Sequence, residues 1–176
     1  MEAALSQSRE RVAFESFVAL RGQQLLRLAY VMTEDAHLAE DLTQTVLLRM
    51  HQLWATIDHP YSYARRALTN LVIDHGRRSD RELPVSAEVL ASLESAGLDE
   101  EPDSWRADAL PALIRSLPSR QRVALVLRYY EHLETAEIAK VMGVRDGSVR
   151  SAIARAIADL RASLLDNEGR AHNDRR

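Results

Sequence analysis

Thr135-Ala-Glu-Ile-Ala-Lys-Val-Met-Gly143-Val-Arg-Asp146-Gly-Ser-Val-Arg150-Ser-Ala-Ile-Ala-Arg155-Ala-Ile-Ala-Asp-Leu-Arg161 reads as a short helix, a glycine-bearing turn and a longer helix. Thr135 is placed to open the first helix over 136–142, and Asp146 to cap the second. Gly143 permits a tight exit, because a left-handed residue costs little without a Cβ. Val149, Ile153, Ile157, Leu160 and Leu164 recur at helical spacing and predict the buried face. The opposite face carries Arg150, Ser151, Ala154, Arg155 and Arg161. This is a helix-turn-helix pattern, whose second helix can enter a DNA major groove where arginine grips guanine with two hydrogen bonds. The alternative is an ordinary helical hairpin with solvated arginines.

Upstream, Pro118-Ser119 predicts the start of another helix, with Ser119 as its cap and Val123, Val126, Leu127 and Tyr130 buried. The stretch 80–103 lacks sustained periodicity, contains Pro84, Gly97 and Pro102, and reads as a tether with a short helix over 87–93. The stretch 11–79 reads as three helices. The first has Phe14, Phe17, Val18, Leu25, Leu28 and Ala29 at helical spacing; the second, over 36–54, has Leu42, Val46, Met50 and Leu53 on one face. Asp58 and Pro60 suit the start of the third, over 61–78, with Ala64, Leu68, Leu71 and Val72 buried. The polar stretch 166–176 is expected to be a disordered tail. The fold class is therefore all-α: two small helical domains, 10–80 and 107–165, joined by an acidic linker over 81–106, the C-terminal one containing the helix-turn-helix.

Composition narrows the function. The chain has 176 residues and no cysteine, which removes disulfides, thiolate zinc sites and a cysteine nucleophile. The start, Met1 to Glu10, has no apolar core behind a basic segment and is not expected to be a signal peptide. No apolar run approaches the roughly 20 residues of a membrane span, so a cytoplasmic protein with no membrane insertion is expected. The net charge of −3 is uneven: residues 80–108 carry −7, leaving +4 elsewhere. Of 23 basic residues only Lys140 is lysine. Arginine makes forked contacts to phosphates and base edges that lysine cannot copy, but a coding bias toward arginine would give the same count. Charge placement therefore has to decide.

Two further patterns carry chemistry. Arg65, Arg66, Arg77, Arg78 and Arg81 crowd around Tyr61, Tyr63 and, upstream, Trp54. Bases of a single strand can stack on such rings while phosphates meet the arginines; alternatively the rings are core residues. In Ala39-Glu-Asp41-Leu42-Thr-Gln44-Thr45-Val46-Leu-Leu48-Arg-Met50, burial of Leu42, Val46 and Met50 turns Asp41, Gln44, Thr45 and Leu48 outward. An exposed leucine among polar groups suits a helical partner surface. Enzyme readings fail: His37 and Glu40 lack a second ligand pair, the six histidines are scattered, and neither a phosphate-binding glycine loop nor a nucleophile elbow is present. Neither metal nor cofactor is expected.

Together, in this order and separation, the motifs resemble a bacterial RNA polymerase sigma factor of the extracytoplasmic-function (ECF) type, over residues 14–165, with features of the actinobacterial SigE-like branch. Ala39-Glu-Asp-Leu-Thr-Gln44 resembles the family's core-binding helix, and Pro60 through Arg78 its promoter-melting helix. Leu117-Pro-Ser-Arg-Gln-Arg122 and Leu127-Arg-Tyr-Tyr130 resemble the start of its C-terminal domain, and Gly143 through Ser151 the turn into its recognition helix. The resemblance implies that Asp41, Gln44, Thr45 and Leu48 bind core RNA polymerase, through its β′ and β subunits. It implies that Trp54, Tyr63, Arg65, Arg66, Asn70, Arg77 and Arg78 bind the melted promoter strand. It implies that Arg150, Ser151, Ala154 and Arg155 read duplex promoter DNA. The acidic linker would thread the positively lined cleft and RNA exit path of the polymerase. An anti-sigma protein is a further partner the family suggests.

Departures from the family pattern bear on promoter sequence. Thr45 stands where an acid is usual, Tyr63 where Trp is usual, and Ala64, Ala152 and Ala154 where larger groups are common. The rival readings are a conventional helix-turn-helix regulator acting as a dimer without polymerase, and a purely protein-binding antagonist. Neither calls for an outward Asp41/Gln44/Leu48 face beside a Tyr/Arg helix.

Overall fold

The computed structural model describes residues 2–79 and 114–173. The expected linker, its 87–93 helix and Arg81 lie outside them. Among the described residues the regular elements are all helical. Helices α1 (Glu2–Thr33), α2 (Ala36–Leu53) and α3 (Pro60–Ser79) pack on one another, with a 3-10 turn at Trp54–Thr56 before α3. Helices α4 (Ser119–Tyr129), α5 (Thr135–Met142) and α6 (Asp146–Asn173) form a second group, with α4 and α5 both lying on α6.

The first group is organised by a buried stripe on each helix: Leu25, Leu28, Ala29 and Met32 of α1; Ala39, Val46 and Met50 of α2; Ala64, Leu68, Val72 and Ile73 of α3. Steps of three and four residues put each set on one face. Burying a leucine- or methionine-sized side chain stabilises the fold by about 1.5–3 kcal/mol. Thr43 and Thr69 also lie in these stripes. Phe14, Phe17, Leu42 and Leu71 are only partly buried at the margin. Leu53 is exposed rather than buried, because α2 ends there and the 3-10 turn shifts the helical phase.

The reversal between α1 and α2 is built locally. The Thr33 hydroxyl donates to the Ala29 carbonyl at 2.9 Å, Glu34 turns the chain at φ 55°, and the Asp35 carboxylate accepts the Leu38 N–H at 2.9 Å. An N-cap acceptor satisfies one of the N–H groups that a helix start leaves unpaired. Asp35→Ala is therefore expected to destabilise the protein by about 1 kcal/mol, read as a lower thermal midpoint. An unchanged midpoint would mean that water replaces the cap at no cost.

In the second group Val123, Ala124, Val126 and Leu127 of α4, Ile138 and Ala139 of α5, and Val149 and Ala156 of α6 are buried. Ile153, Ile157 and Leu160 are half-buried. Four expectations are corrected. Ser119 is the first helical residue, with Pro118 in the capping position, and Glu134 rather than Thr135 precedes α5, its N–H bonded to the Glu137 carboxylate at 2.9 Å. Tyr130 is 41% exposed, because α4 has ended and the chain reverses through His132 at φ 55°. The polar stretch after 165 continues α6 as far as Asn173. It contains no proline to stop a helix and only Gly169 to weaken one.

Candidate nucleic-acid interface

Helix α3 has two flanks with different surroundings. On the outer one, Tyr63, Arg66, Asn70 and Arg77 follow one another at three-, four- and seven-residue steps, so they form a single stripe. Arg66, Asn70, Arg77 and Arg78 are exposed and Tyr63 is half-buried. Arg77 lies 3.8 Å from the Asp74 carboxylate, an exposed pair that holds it weakly. A flat ring, an amide and exposed guanidinium groups along one line can stack a base and meet its phosphates.

The inner flank faces the second helical group. Arg65, one residue before Arg66, points the other way. Its guanidinium Nη1 is 3.2 Å from Glu131 Oε2, with the two side chains only 15% and 6% exposed. The Tyr61 hydroxyl donates to both Glu131 oxygens, at 3.0 and 3.2 Å. Burial and the adjacent Glu131 carboxylate push the Tyr61 phenol well above its usual range, against the opposing pull of Arg65 and Arg21. Arg21 and Arg65 both sit over the Tyr61 ring, at 5.6 and 5.7 Å from its centre. Arg65 thus stands apart from the other proposed strand contacts.

Trp54 is half-buried against α1. Its ring meets Phe14 edge-on at 5.2 Å and Phe17 at 5.4 Å, and Phe14 also meets His51 at 5.1 Å. Trp54 braces the turn leading to α3, and Tyr63, partly packed against the core, lies beside the exposed Arg66.

On α2, Asp41 and Gln44 are exposed, Thr45 is half-buried and Leu48 is 67% exposed. They share one outward face, since Thr43, Val46 and Met50 take the inward one.

In the helix-turn-helix, Gly143 has φ 64°, and the Val144 N–H returns to the Ala139 carbonyl at 3.0 Å. A residue with a Cβ is strained there, which explains the glycine. Val149 anchors α6 with its side chain inaccessible, and Arg150, Ser151, Ala154 and Arg155 are exposed. A groove of about 510 Å³ beside α6 is lined by Ser148, Ser151 and Arg155 together with Arg120 of α4. Arg120 and Ser148 were not singled out in the sequence. Arg120 is distant in the chain and joins this face only because α4 packs on α6.

Among the described residues no cluster of three or more histidines and acids could hold a metal ion. Nor is any of their helices long and apolar enough to cross a membrane.

Residues 17–82 match the family model described as Sigma-70 region 2, and residues 107–160 match Sigma-70, region 4. The chain is 32% identical over 161 residues to the RNA polymerase sigma-E factor of Streptomyces coelicolor, covering 89% of this chain and 88% of that protein. It is 33% identical over 153 residues to the ECF RNA polymerase sigma factor SigL of Mycobacterium tuberculosis, covering 81% and 83%. In fold it is similar to the sigma factor RpoE in its complex with the anti-sigma factor NepR from Bartonella quintana, with a TM-score of 0.64 at 20% identity over 87% of this chain and 97% of that one. It is also similar to CnrH in complex with the cytosolic domain of CnrY, with a TM-score of 0.58 at 21% identity over 94% and 95%.

Proposed function

The chain belongs to the ECF group of bacterial RNA polymerase sigma factors, and from that premise we propose a division of labour among its surfaces. The α2 face of Asp41, Gln44, Thr45 and Leu48 docks on core polymerase. The outer flank of α3 holds the melted promoter strand through Tyr63, Arg66, Asn70, Arg77 and Arg78, with Trp54 bracing the approach. Arg150, Ser151, Ala154 and Arg155 of α6 read the duplex element farther upstream, and Arg120 adds a phosphate contact beside them. The chain directs initiation without chemistry of its own and works in the cytoplasm. An anti-sigma protein is a further partner in this reading, as named for the fold relative RpoE. In this reading the two functional domains span 10–80 and 107–165.

The observation that carries this reading is the outward placement of all three polar faces while the apolar stripe of every helix turns inward. Run-off transcription tests it: purified core polymerase should start new transcripts from genomic DNA only when the chain is added. Failure on every template would end the proposal. In the same assay Arg150→Ala should cost about 1–3 kcal/mol in promoter affinity and relax one base preference, the effect of losing a forked contact to guanine. Unchanged promoter selectivity would remove Arg150 from the base-reading set.

A further inference from the structure

Gly143 and Gly76 each have a reason inside the protein: Gly143 takes a left-handed turn, and a Cβ on Gly76 would collide with Ser119. Gly147, in the first turn of α6, has neither. Its φ lies outside the left-handed region, it is exposed, and a Cβ added there would meet no atom within 4 Å. Glycine is a poor helix former, so alanine would serve the free protein better at this position. A bare Cα that the protein itself does not require suits a place where a ligand approaches the backbone closely.

We propose that Gly147 is the point where the backbone of the upstream promoter duplex rests on the protein, with one phosphodiester seated in the groove between α4 and α6. Gly147 lines that groove together with Ser148, Ser151 and Arg155 of α6 and Arg120 and Gln121 of α4. Two guanidinium groups therefore border the space where a Cβ is missing, and no acidic residue among the described ones lines it. Gln121 has a buried Oε1 without a hydrogen-bond partner, so the folded chain leaves polar capacity unused at this spot. The Ser148 and Val149 N–H groups both turn back to the Arg145 carbonyl, at 2.9 and 3.3 Å. The Gly147 N–H precedes them, where a helix has no acceptor of its own to offer, and a methyl group on its Cα would stand beside that approach. A phosphate contact fixes the position of a protein on the duplex without selecting sequence. Gly147 is thus a positioning residue for Arg150 and Ser151, which face the bases. This inference rests on the reading of α6 as the duplex-reading helix.

Holoenzyme assembled from core polymerase and the full chain is titrated with a duplex promoter that it transcribes. Gly147→Ala should weaken binding about tenfold and Gly147→Val about a hundredfold, the range for losing one charge-assisted contact and then crowding its neighbours. The thermal midpoint of Gly147→Ala should be unchanged or higher, since alanine favours the helix. Gly22→Ala in α1 is the control: its Cβ would make only an ordinary contact, with Val18 at 3.6 Å, and DNA affinity should stay as it is. Phosphates of the upstream element are then replaced one at a time by uncharged methylphosphonates. One position should weaken binding of the unmodified chain yet cost Gly147→Ala nothing further, the non-additivity expected of two changes at one contact. Unaltered affinity in both Gly147 variants, a lowered midpoint in Gly147→Ala, or methylphosphonate losses that add in full at every position would overturn the proposal. Arg155→Ala keeps the two readings apart. If it weakens duplex binding while the Gly147 variants do not, only the seat at Gly147 is lost; if none of these variants does, α6 is not the duplex-reading helix.

Discussion

Leu48→Glu is expected to weaken binding to core RNA polymerase by about 2–4 kcal/mol, or about 30- to 900-fold, with little change in fold stability. Leu48 is 67% exposed in the middle of α2, so the free protein gains nothing from its burial. Its inward neighbours Val46 and Met50 anchor the helix without it. An apolar side chain flanked by Asp41 and Gln44 fits the pattern of a buried anchor within a polar rim, and losing such an anchor typically costs 2 kcal/mol or more. Glutamate adds the desolvation of a charge at the same spot while remaining a good helix former. Titration of labelled core enzyme measures the affinity, and the thermal midpoint controls for folding. Wild-type affinity in a normally folded variant would move the polymerase contact off this face.

The stripe on α3 and the exposed face of α6 were legible because their reasons are local. A helix turns about 100° per residue, so Ala64, Leu68 and Val72 on the inside determine that Arg66 and Asn70 lie outside. Gly143 was legible because a left-handed turn selects for it. Glu131 was not: it meets Arg65 across 66 residues of chain, and nothing around it marks it as a partner. For the same reason Arg65 and Arg66 looked alike in the sequence. Adjacent on the helix, they point in different directions, and which one meets the second helical group depends on how α3 and α4 approach. Trp54 posed a similar problem, since its packing partners Phe14 and Phe17 lie on α1. The caps were misplaced by one residue where Pro118 and Glu134 took positions that Ser119 and Thr135 could have filled. Side-chain preferences near a helix start overlap too much to separate neighbours.

The double variant Tyr63→Ala with Arg66→Ala should reduce open-complex formation on duplex promoters by about 150-fold, equivalent to about 3 kcal/mol. A stacked base contributes about 1–3 kcal/mol through an aromatic platform, and a charge-assisted hydrogen bond to phosphate about 1.5–3 kcal/mol. The two side chains are one helical step apart on the outer flank, so they would grip the same nucleotide or adjacent ones and their effects need not add fully. Tyr63→Phe keeps the ring and should behave nearly as wild type, which separates stacking from the phenol's hydrogen bonding. In the proposed reading, opening the duplex is the step for which this grip would compensate. A template with a mismatched, already open bubble removes that cost and should recover most of the lost transcription. Permanganate footprinting of unpaired thymines and run-off synthesis on the two templates provide the readout. Equal losses on both templates would place the defect in folding or polymerase binding, and full activity on the duplex would show that the melted strand is held elsewhere.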